Sequence, residues 1–309
     1  MIKVYNTLTK RKEEFVSVTP KVLKIYSCGP TVYSTQHIGN LMAAVTWDTL
    51  KRMFRYFGYA IEDVTNITDV GHLVSDEDDG EDKMEKAVRK ENKDPFEIAR
   101  HYEKIYFADL EKLNVIKSKY TPRASEEVKE QLDIVKSLEE GGYTYITTDG
   151  VYFDVSKFKD YGKLSGQKLE DKKAGARVEE NSEKRNSADF ALWKFCVGEN
   201  ANHLQRWDSK WGVGFPGWHI ECSAMGYKYL GSKLDIHTGG IEHIPVHHEN
   251  EIAQNECSKN SISHISYWMH NDHLIVDGEK MSKSLGNVYY LSDFEKIGIN
   301  PLAFREVCY

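Results

Sequence analysis

The feature that most constrains the fold is a strand, a turn and a helix that follow one another between residues 22 and 50. The apolar, β-branched run Val22–Tyr26 is typical of a short buried strand. Gly29-Pro30 ends this strand, because proline cannot supply the next amide donor of a ladder. Residues 37–40 (H-I-G-N) then open a run with helical spacing. Because open α/β sheets bind ligands where strands end and helices begin, this stretch predicts one side of a nucleotide site.

A second strand, predicted over Tyr59–Ile67, follows the helix. Two strands joined by a crossover helix indicate a right-handed βαβ unit and a parallel sheet. Further along, residues 141–155 have the pattern of a β-hairpin with its turn at Asp149-Gly150, and a polar stretch follows. The sequence therefore predicts an α/β fold. A Rossmann-like parallel-sheet catalytic domain is split by an α+β insertion and is followed by a K-M-S-K-S loop and helical region.

The same patterns predict limits for four segments of the chain. Residues 1–120 would form the first half of the Rossmann-like domain, and 121–207 the connective insertion. Residues 208–265 would form the second half, and 266–309 the K-M-S-K-S loop and the start of a helical region. Within the first half, Pro95 divides a long helical pattern into two helices, because an interior proline removes a backbone hydrogen bond.

Bulk properties exclude several classes of protein. A formal net charge of -7 over 309 residues argues against a protein that coats nucleic acid without sequence preference. No apolar run approaches the length of a membrane span, and the first residues do not resemble a signal peptide. Five scattered cysteines are too few for a disulfide framework. We therefore expect a cytoplasmic protein of enzyme size with no membrane partner, whose reduced thiols are available for metal binding or catalysis.

Four residues of the sequence could form a zinc site. His247 and Glu251 are four apart on a predicted helix, so they share one face. Cys28 ends a strand of the first half, and Cys222 lies near the start of a helix of the second half. Two thiolates, an imidazole and a carboxylate suit a four-coordinate zinc ion. Alternatively, the cysteines are small core residues and the His–Glu pair is a surface contact. Spacing alone favours this alternative over a zinc site.

Two further segments have features of a phosphate site. His37 and Asn40 place a ring nitrogen and an amide at a helix N-terminus, and Gly39 lets a ligand approach the backbone. An ordinary capping turn is an equal alternative for this segment. Lys280 and Lys283 belong to K-M-S-K-S, in a loop bounded by glycines. Two such lysines can follow a polyphosphate as its charge redistributes, although a solvated lysine-rich loop remains the alternative.

Taken together, these segments resemble the class I aminoacyl-tRNA synthetases, whose two signatures are H-I-G-H and K-M-S-K-S. Within that class the chain looks like the cysteinyl-tRNA synthetase family. The resemblance extends over nearly all 309 residues. Beyond the signatures, it includes the following segments: Cys28–Tyr33, Asn66–Asp69, Ala174–Val178, Gly217–Met225 and His247–Gln254.

The resemblance implies an enzyme that activates L-cysteine with ATP and Mg²⁺ and transfers the cysteinyl group to tRNA(Cys). One zinc ion would select the cysteine thiolate, held by Cys28, Cys222, His247 and Glu251. The implied catalytic residues are His37, Asn40, Lys280 and Lys283. The implied ATP-binding residues are His37, Gly39, Asn40, Gly240, Glu242 and Lys283. The implied substrate-binding residues are Gly29, Thr68, Trp218 and His237.

The sequence departs from the family pattern in two places. Asn40 stands where the first signature often has histidine, and an amide donates hydrogen bonds but carries no positive charge. Family members usually continue past K-M-S-K-S, through a stem-contact helical region that would begin within 266–309, into a helical domain that reads the anticodon. This chain ends at Tyr309, so we expect either a truncated product or a protein without the anticodon-reading part. We expect a monomer. Two alternatives are a related ligase that passes cysteine to an amino sugar, and a catalytically silent paralogue.

Overall fold

A computed structural model of the chain describes residues 1–70, 83–167, 183–276, 278–281 and 286–309. Two of the segments singled out above fall outside these ranges: Ala174–Val178, and residues 282–285 with Lys283.

Strands and helices alternate along much of the chain. The strands are β1 (Lys3–Asn6), β2 (Arg11–Glu14), β3 (Val22–Ser27), β4 (Ala60–Thr65), β5 (Thr144–Ile146), β6 (Gly150–Phe153), β7 (Phe190–Phe195), β8 (Gly214–Pro216), β9 (Lys233–Gly240), β10 (His264–Asn271), β11 (Ile275–Val276) and β12 (Glu279–Lys280). The α-helices are α1 (Ile38–Tyr56), α2 (Lys83–Glu91), α3 (Pro95–Lys112), α4 (Val128–Glu140), α5 (Trp218–Leu230), α6 (His247–Cys257), α7 (Leu291–Lys296) and α8 (Pro301–Val307).

A parallel sheet of order β10-β9-β3-β4 forms the centre of the fold. Its strands come from both halves of the chain, since β3 pairs with β4 on one side and with β9 on the other. Ile25 is opposite Ile236 in this second pairing, and both side chains are fully buried. The helix α1 connects β3 to β4. The predicted α/β class and parallel sheet are therefore confirmed.

The helix α1 carries the first signature at its start and packs along the sheet domain. Leu41, Val45 and Phe54 recur at helical spacing and are fully buried, so one face of the helix is held by the core. The polar residues of the first turn remain at the surface of the cavity described below. A helix anchored along its length in this way fixes the position of its N-terminus.

The helix α3 begins as the sequence predicts, with Pro95 as its first residue. Asp94 precedes it in an extended conformation, and its carboxylate accepts hydrogen bonds from the amides of Phe96 and Glu97. These are amides that the first turn of a helix leaves without an internal partner.

Replacement of Asp94 by alanine tests this cap. We expect Asp94→Ala to lower the free energy of unfolding by about 1 kcal/mol, because two amides lose their acceptor. Urea denaturation followed by circular dichroism measures the change. Asp94→Asn, which keeps an oxygen acceptor, is the matched control and should lose much less; an equal loss in both variants would contradict capping as the cause.

An antiparallel sheet of order β5-β6-β7-β8 lies between the two parts of the parallel sheet in sequence. The predicted hairpin is present as β5 and β6, and Tyr152, Phe153 and Trp193 bury their rings in its core. β8 belongs to this sheet although it lies beyond residue 207, and it leads directly into α5. The limits of the four segments remain a prediction.

The last helices, α7 and α8, pack against the first half of the chain. Arg305 of α8 donates to Asp48 of α1 at 2.6 Å and to the carbonyl groups of Leu113 and Asn114. The Asp48 side chain is fully buried and also accepts from Arg52. Burial alone would raise the pKa of Asp48, but the hydrogen bonds to its carboxylate lower it. This buried ion pair stabilises the packing of α8 against α1, the helix that begins with the first signature.

Across the described ranges, the helices are too short or too polar to span a lipid bilayer.

Candidate metal and nucleotide site

The carboxyl ends of the parallel strands open into a cavity of about 410 Å³. β3 and β9 end here, so residues far apart in sequence meet at one edge of the sheet. The predicted residues at the wall of the cavity are Cys28, Gly29, His37, Gly39, Asn40, Thr68, Trp218, Cys222, Gly240, Glu242 and His247. Two other predicted residues, Glu251 and His237, are fully buried near it. Lys280 lies in β12.

The four predicted zinc ligands come together at the base of the cavity. The sulfur atoms of Cys28 and Cys222 are 3.9 Å apart, and the Cys222 sulfur is 3.5 Å from His247 Nε2. His247 Nε2 is in turn 3.0 Å from Glu251 Oε1. A tetrahedral zinc ion would set two sulfurs about 3.8 Å apart, and a sulfur and a nitrogen about 3.6 Å apart. The donor set therefore suits zinc in its chemistry, and the two distances from the Cys222 sulfur suit it in spacing.

The Glu251 carboxylate supports this interpretation. Its Oε1 is buried and makes no hydrogen bond within the described part of the chain, although His247 Nε2 lies nearby. A buried carboxylate oxygen with no hydrogen-bond partner, close to an imidazole nitrogen, is typical of a metal centre.

His248 is a fifth donor, which sequence reasoning missed. Its Nε2 lies 3.3 Å from the Cys28 sulfur and 3.8 Å from Glu251 Oε1. The donor atoms of Cys28, His247, His248 and Glu251 all lie within 4.8 Å of one another. Cys222 has tetrahedral-edge distances to two members of the predicted set, whereas His248 can donate to the Cys28 thiolate. The identity of the fourth ligand remains a prediction. The two adjacent histidines at the start of α6 were the signal available in the sequence.

Buried histidines around the donors hold them in place. His219 Nδ1 shares a hydrogen bond with His247 Nδ1 at 3.0 Å, so His247 Nε2 is left to face the other donors. His237 lies behind Glu251: its Nε2 is 2.8 Å from Glu251 Oε2, and its Nδ1 is 3.2 Å from the carbonyl oxygen of Tyr26. Such partners orient metal ligands and fix their tautomers.

A line of hydrogen bonds connects His248 to the N-terminal segment. His248 Nδ1 is 2.7 Å from His270 Nε2, and His270 Nδ1 is 2.8 Å from the Thr7 hydroxyl. If the hydroxyl donates to His270, each imidazole accepts on one nitrogen and donates from the other, and His248 Nε2–H points to Cys28. Burial and the neighbouring histidines lower the pKa of His270 to about 2, so its ring is neutral.

The charges of the donors favour an anionic site. Burial would raise the pKa of Cys28, but hydrogen bonding to Cys222 and the neighbouring histidines hold it well below its usual value. Burial and the Cys28 charge raise the pKa of Cys222 well above its usual value. Burial would also raise the pKa of Glu251, but attraction to His237 and His247 lowers it. A thiolate and a carboxylate thus share the centre, as a divalent cation requires.

Trp218 forms the wall above the donors. Its indole stacks on the His247 ring, with the two centroids 4.1 Å apart and the planes at 22°. Gly29 also lines the cavity, and a Cβ at this position would overlap the carbonyl oxygen of Asn66. Glycine is therefore required at position 29 by close backbone packing. Gly240 ends β9, and its neighbour Glu242 is partly exposed at the mouth of the cavity.

The two signature segments meet at the start of α1. His37 is the N-cap residue of this helix, and the amide of Ile38 donates to the carbonyl oxygen of Tyr289 at 2.9 Å. A Cβ on Gly39 would lie 2.8 Å from the end of the Met281 side chain, so Met281 packs directly over this glycine. Asn40 donates to the Gln36 side chain at 2.6 Å. The residues on both sides of 282–285 therefore contact the first signature.

Comparison with known proteins agrees with these features. Residues 14–305 match the family model described as tRNA synthetases class I (C) catalytic domain. Proteins named cysteine–tRNA ligase are similar in sequence: those of Treponema denticola at 46% identity, Deinococcus radiodurans at 47% and Thermus thermophilus at 45%. Each alignment covers 98% of this chain but only 60–62% of the relative, so the chain spans about three fifths of the length of these relatives.

Solved structures share the fold at low sequence identity. Methionyl-tRNA synthetase of Mycobacterium tuberculosis, in complex with methionyl-adenylate, superimposes with a TM-score of 0.61 at 14% identity, over 93% of this chain and 62% of that one. A protein described as a putative arginyl-tRNA synthetase of Campylobacter jejuni gives 0.55, at the same identity and coverage. With its donor cluster, its two signature segments and a family match over nearly its whole length, the chain belongs to the class I (C) tRNA synthetase catalytic domain family.

Proposed function

We propose that the protein activates L-cysteine with ATP and transfers the cysteinyl group to the 3′ end of tRNA(Cys). The observation that carries this proposal is the juxtaposition of a donor cluster containing two cysteines with the first signature in one cavity. The cluster suits recognition of a thiol, and the helix N-terminus beside it suits binding of a phosphate. The names of the curated relatives support the same activity.

The proposed reaction has two steps. A carboxylate oxygen of cysteine attacks the α-phosphorus of ATP, the bond to the bridging oxygen breaks, and pyrophosphate leaves with Mg²⁺. The terminal ribose hydroxyl of tRNA then attacks the carbonyl carbon of cysteinyl-adenylate, and AMP leaves. Positioning and charge stabilisation supply most of the acceleration in such transfers. His37 and Asn40 would act at the N-terminus of α1, with Lys280 and Lys283 on the departing phosphates.

The other nucleotide contacts follow from the shape of the cavity. Gly39 and Gly240 line the cavity and would present their backbone to ATP. Glu242 stands at the mouth of the cavity, where it could accept a hydrogen bond from a ribose hydroxyl. For the amino acid, Gly29, Thr68 and Trp218 line the same cavity. His237 would influence the amino-acid site indirectly, by orienting Glu251 through their hydrogen bond.

The donor cluster provides a physical basis for choosing cysteine over serine. Cys28, Cys222, His247 and Glu251 would hold zinc, which when bound supplies a soft Lewis acid that favours a thiolate over an alkoxide. Serine and cysteine differ by one atom, and ordinary pocket contacts discriminate such near-isosteres only modestly. The buried, preorganised donors would therefore reject serine at the binding step. A monomeric, cytoplasmic enzyme is part of the same proposal.

Cysteine-dependent exchange between ATP and labelled pyrophosphate tests the first step. We expect zinc-loaded protein to catalyse exchange with cysteine and not with serine. Lys283→Ala should reduce the exchange rate by about 100-fold or more, the effect of removing one donor from developing charge. Lys136→Ala removes a side chain that is 60% exposed on α4 and is the matched control.

The outcome separates the alternatives. Exchange without a change in Lys283→Ala would contradict the role of that lysine, and no exchange in the zinc-loaded protein would indicate a catalytically silent paralogue. A second assay supplies either tRNA(Cys) or an amino sugar to the active protein. Cysteinylated tRNA is the expected product, and exclusive labelling of the sugar would overturn the second step.

A further inference from the structure

A directed chain of hydrogen bonds runs from the cavity wall to a buried carboxylate. It begins at the backbone amide of Gly29, which can only donate and which meets Asn66 Oδ1 at 2.9 Å. This contact fixes the orientation of the Asn66 amide, because the oxygen must face Gly29. The Nδ2 group of Asn66 therefore faces Thr68 and donates to its hydroxyl oxygen at 3.1 Å.

The Thr68 hydroxyl continues the chain in one direction only. Its oxygen accepts from Asn66, and its single proton is donated to Glu221 Oε2 at 2.9 Å. A hydroxyl has one proton and two lone pairs, so a second lone pair of Thr68 remains. Thr68 lines the cavity. Toward a ligand in the cavity, Thr68 can therefore accept a hydrogen bond but cannot donate one.

Glu221 sets the direction of this hydrogen-bond chain by accepting the Thr68 proton. The residue lies on α5 directly before Cys222, and its side chain is fully buried. Thr68 and Asn66 border the cavity, whereas Glu221 stands one layer deeper. An oxygen that can only accept suits a group that donates hydrogen bonds and disfavours a carboxylate, which can only accept. Of the polar groups of an amino acid, the α-ammonium group is the one that donates.

We propose that Glu221 is a positioning residue that makes Thr68 the receptor for the α-ammonium group of the substrate. This inference rests on the proposed function, since it assigns a subsite within the same cavity. The thiol would be fixed at the donor cluster and the ammonium group at Thr68. When the side chain and the ammonium group of L-cysteine are both held, the direction of the third substituent of the α-carbon, the reacting carboxylate, is set.

Three small thiols separate this role from a purely structural one. L-cysteine carries both the ammonium group and the carboxylate, cysteamine lacks the carboxylate, and 3-mercaptopropionate lacks the ammonium group. Their dissociation constants are measured by calorimetry on zinc-loaded protein, which needs no turnover. We expect Glu221→Gln to weaken cysteine and cysteamine by about 10- to 100-fold, the value of a hydrogen bond to a charged group. Binding of 3-mercaptopropionate should change by less than about twofold, because it makes no such bond.

If Glu221→Gln does not fold, variants of Thr68, which lies between Glu221 and the cavity, provide the same test. Thr68→Val removes the acceptor and should reproduce the selective loss, whereas Thr68→Ser keeps the hydroxyl and should restore ammonium binding. Glu140→Gln is the matched control, because this carboxylate is 61% exposed on α4. In exchange assays, Glu221→Gln should raise the KM for cysteine more than it lowers kcat.

Two results would overturn the inference. One is an equal loss of affinity for all three thiols, which would indicate collapse of the pocket; the other is unchanged binding of cysteamine in both Glu221→Gln and Thr68→Val. Failure of the proposed function has a different form: the unmodified protein would show no cysteine-dependent exchange. The affinities of the three thiols can be measured by calorimetry whether or not the protein catalyses exchange.

Discussion

Replacing Cys222 by serine is expected to lower the zinc affinity of the protein by about 100- to 1,000-fold, because four ligands share a binding free energy of about 10–16 kcal/mol. The sulfur of Cys222 is placed at tetrahedral-edge distances from both Cys28 and His247, and a serine hydroxyl is shorter and harder. The apparent KM for cysteine should rise sharply in the same variant. The preference of the variant for cysteine over serine should therefore be smaller than that of the unmodified protein.

Metal content and kinetics are measured on the same preparations. Elemental analysis after dialysis gives the zinc stoichiometry, and competition with a chromogenic chelator gives the affinity. Cys196→Ser, a partly buried cysteine outside the donor cluster, is the matched control and should retain zinc. An unchanged KM for cysteine in metal-free protein would contradict the proposed selection by the metal.

Replacing Arg305 by methionine is expected to destabilise the protein by about 3 kcal/mol, the lower range for removing one partner of a buried ion pair. The variant leaves the buried Asp48 carboxylate without its 2.6 Å partner, and two carbonyl oxygens lose a donor. Arg52 still pairs with Asp48, which keeps the loss from being larger.

Arg52→Met provides the comparison for this prediction. It removes a guanidinium from the same carboxylate, but the Arg52 side chain is 37% exposed, so we expect less than about 1 kcal/mol. Urea unfolding of both variants, with the m-value checked for a common transition, gives the two differences. Equal losses in the two variants would contradict the importance of the buried pair.

Local patterns predicted the parallel sheet well. The β-branched run at Val22–Tyr26, the helical spacing after it and the second strand follow from short-range periodicity, and the structure has β3, α1 and β4 at these places. The N-terminal hairpin of β1 and β2 was not predicted. Its second strand, Arg11–Glu14, is charged throughout, so it lacks the alternation by which a strand is recognised.

The sequence predicted the candidate site only in part, because local patterns do not specify contacts between distant side chains. His247 and Glu251 share a helix face by spacing, and the cysteines were placed by the ends of predicted elements. The contacts of His248 with Cys28, and of Thr7 with His270, depend on packing between segments more than 200 residues apart. No local pattern specifies such contacts. The roles of the site residues therefore remain predictions that the variants above can test.

The pairing of β3 with β9 has a consequence for how the protein is made. During synthesis, β3 and β4 can pair early, but one edge of β3 stays open until residue 236 and its neighbours have left the ribosome. The whole antiparallel segment is completed in that interval, and long-range closure of this kind is intrinsically slow. His247 and Glu251 follow β9 in sequence, so the four predicted zinc ligands can come together only at a late stage of synthesis. Zinc uptake by a nascent chain would therefore report that the two halves of the parallel sheet have come together.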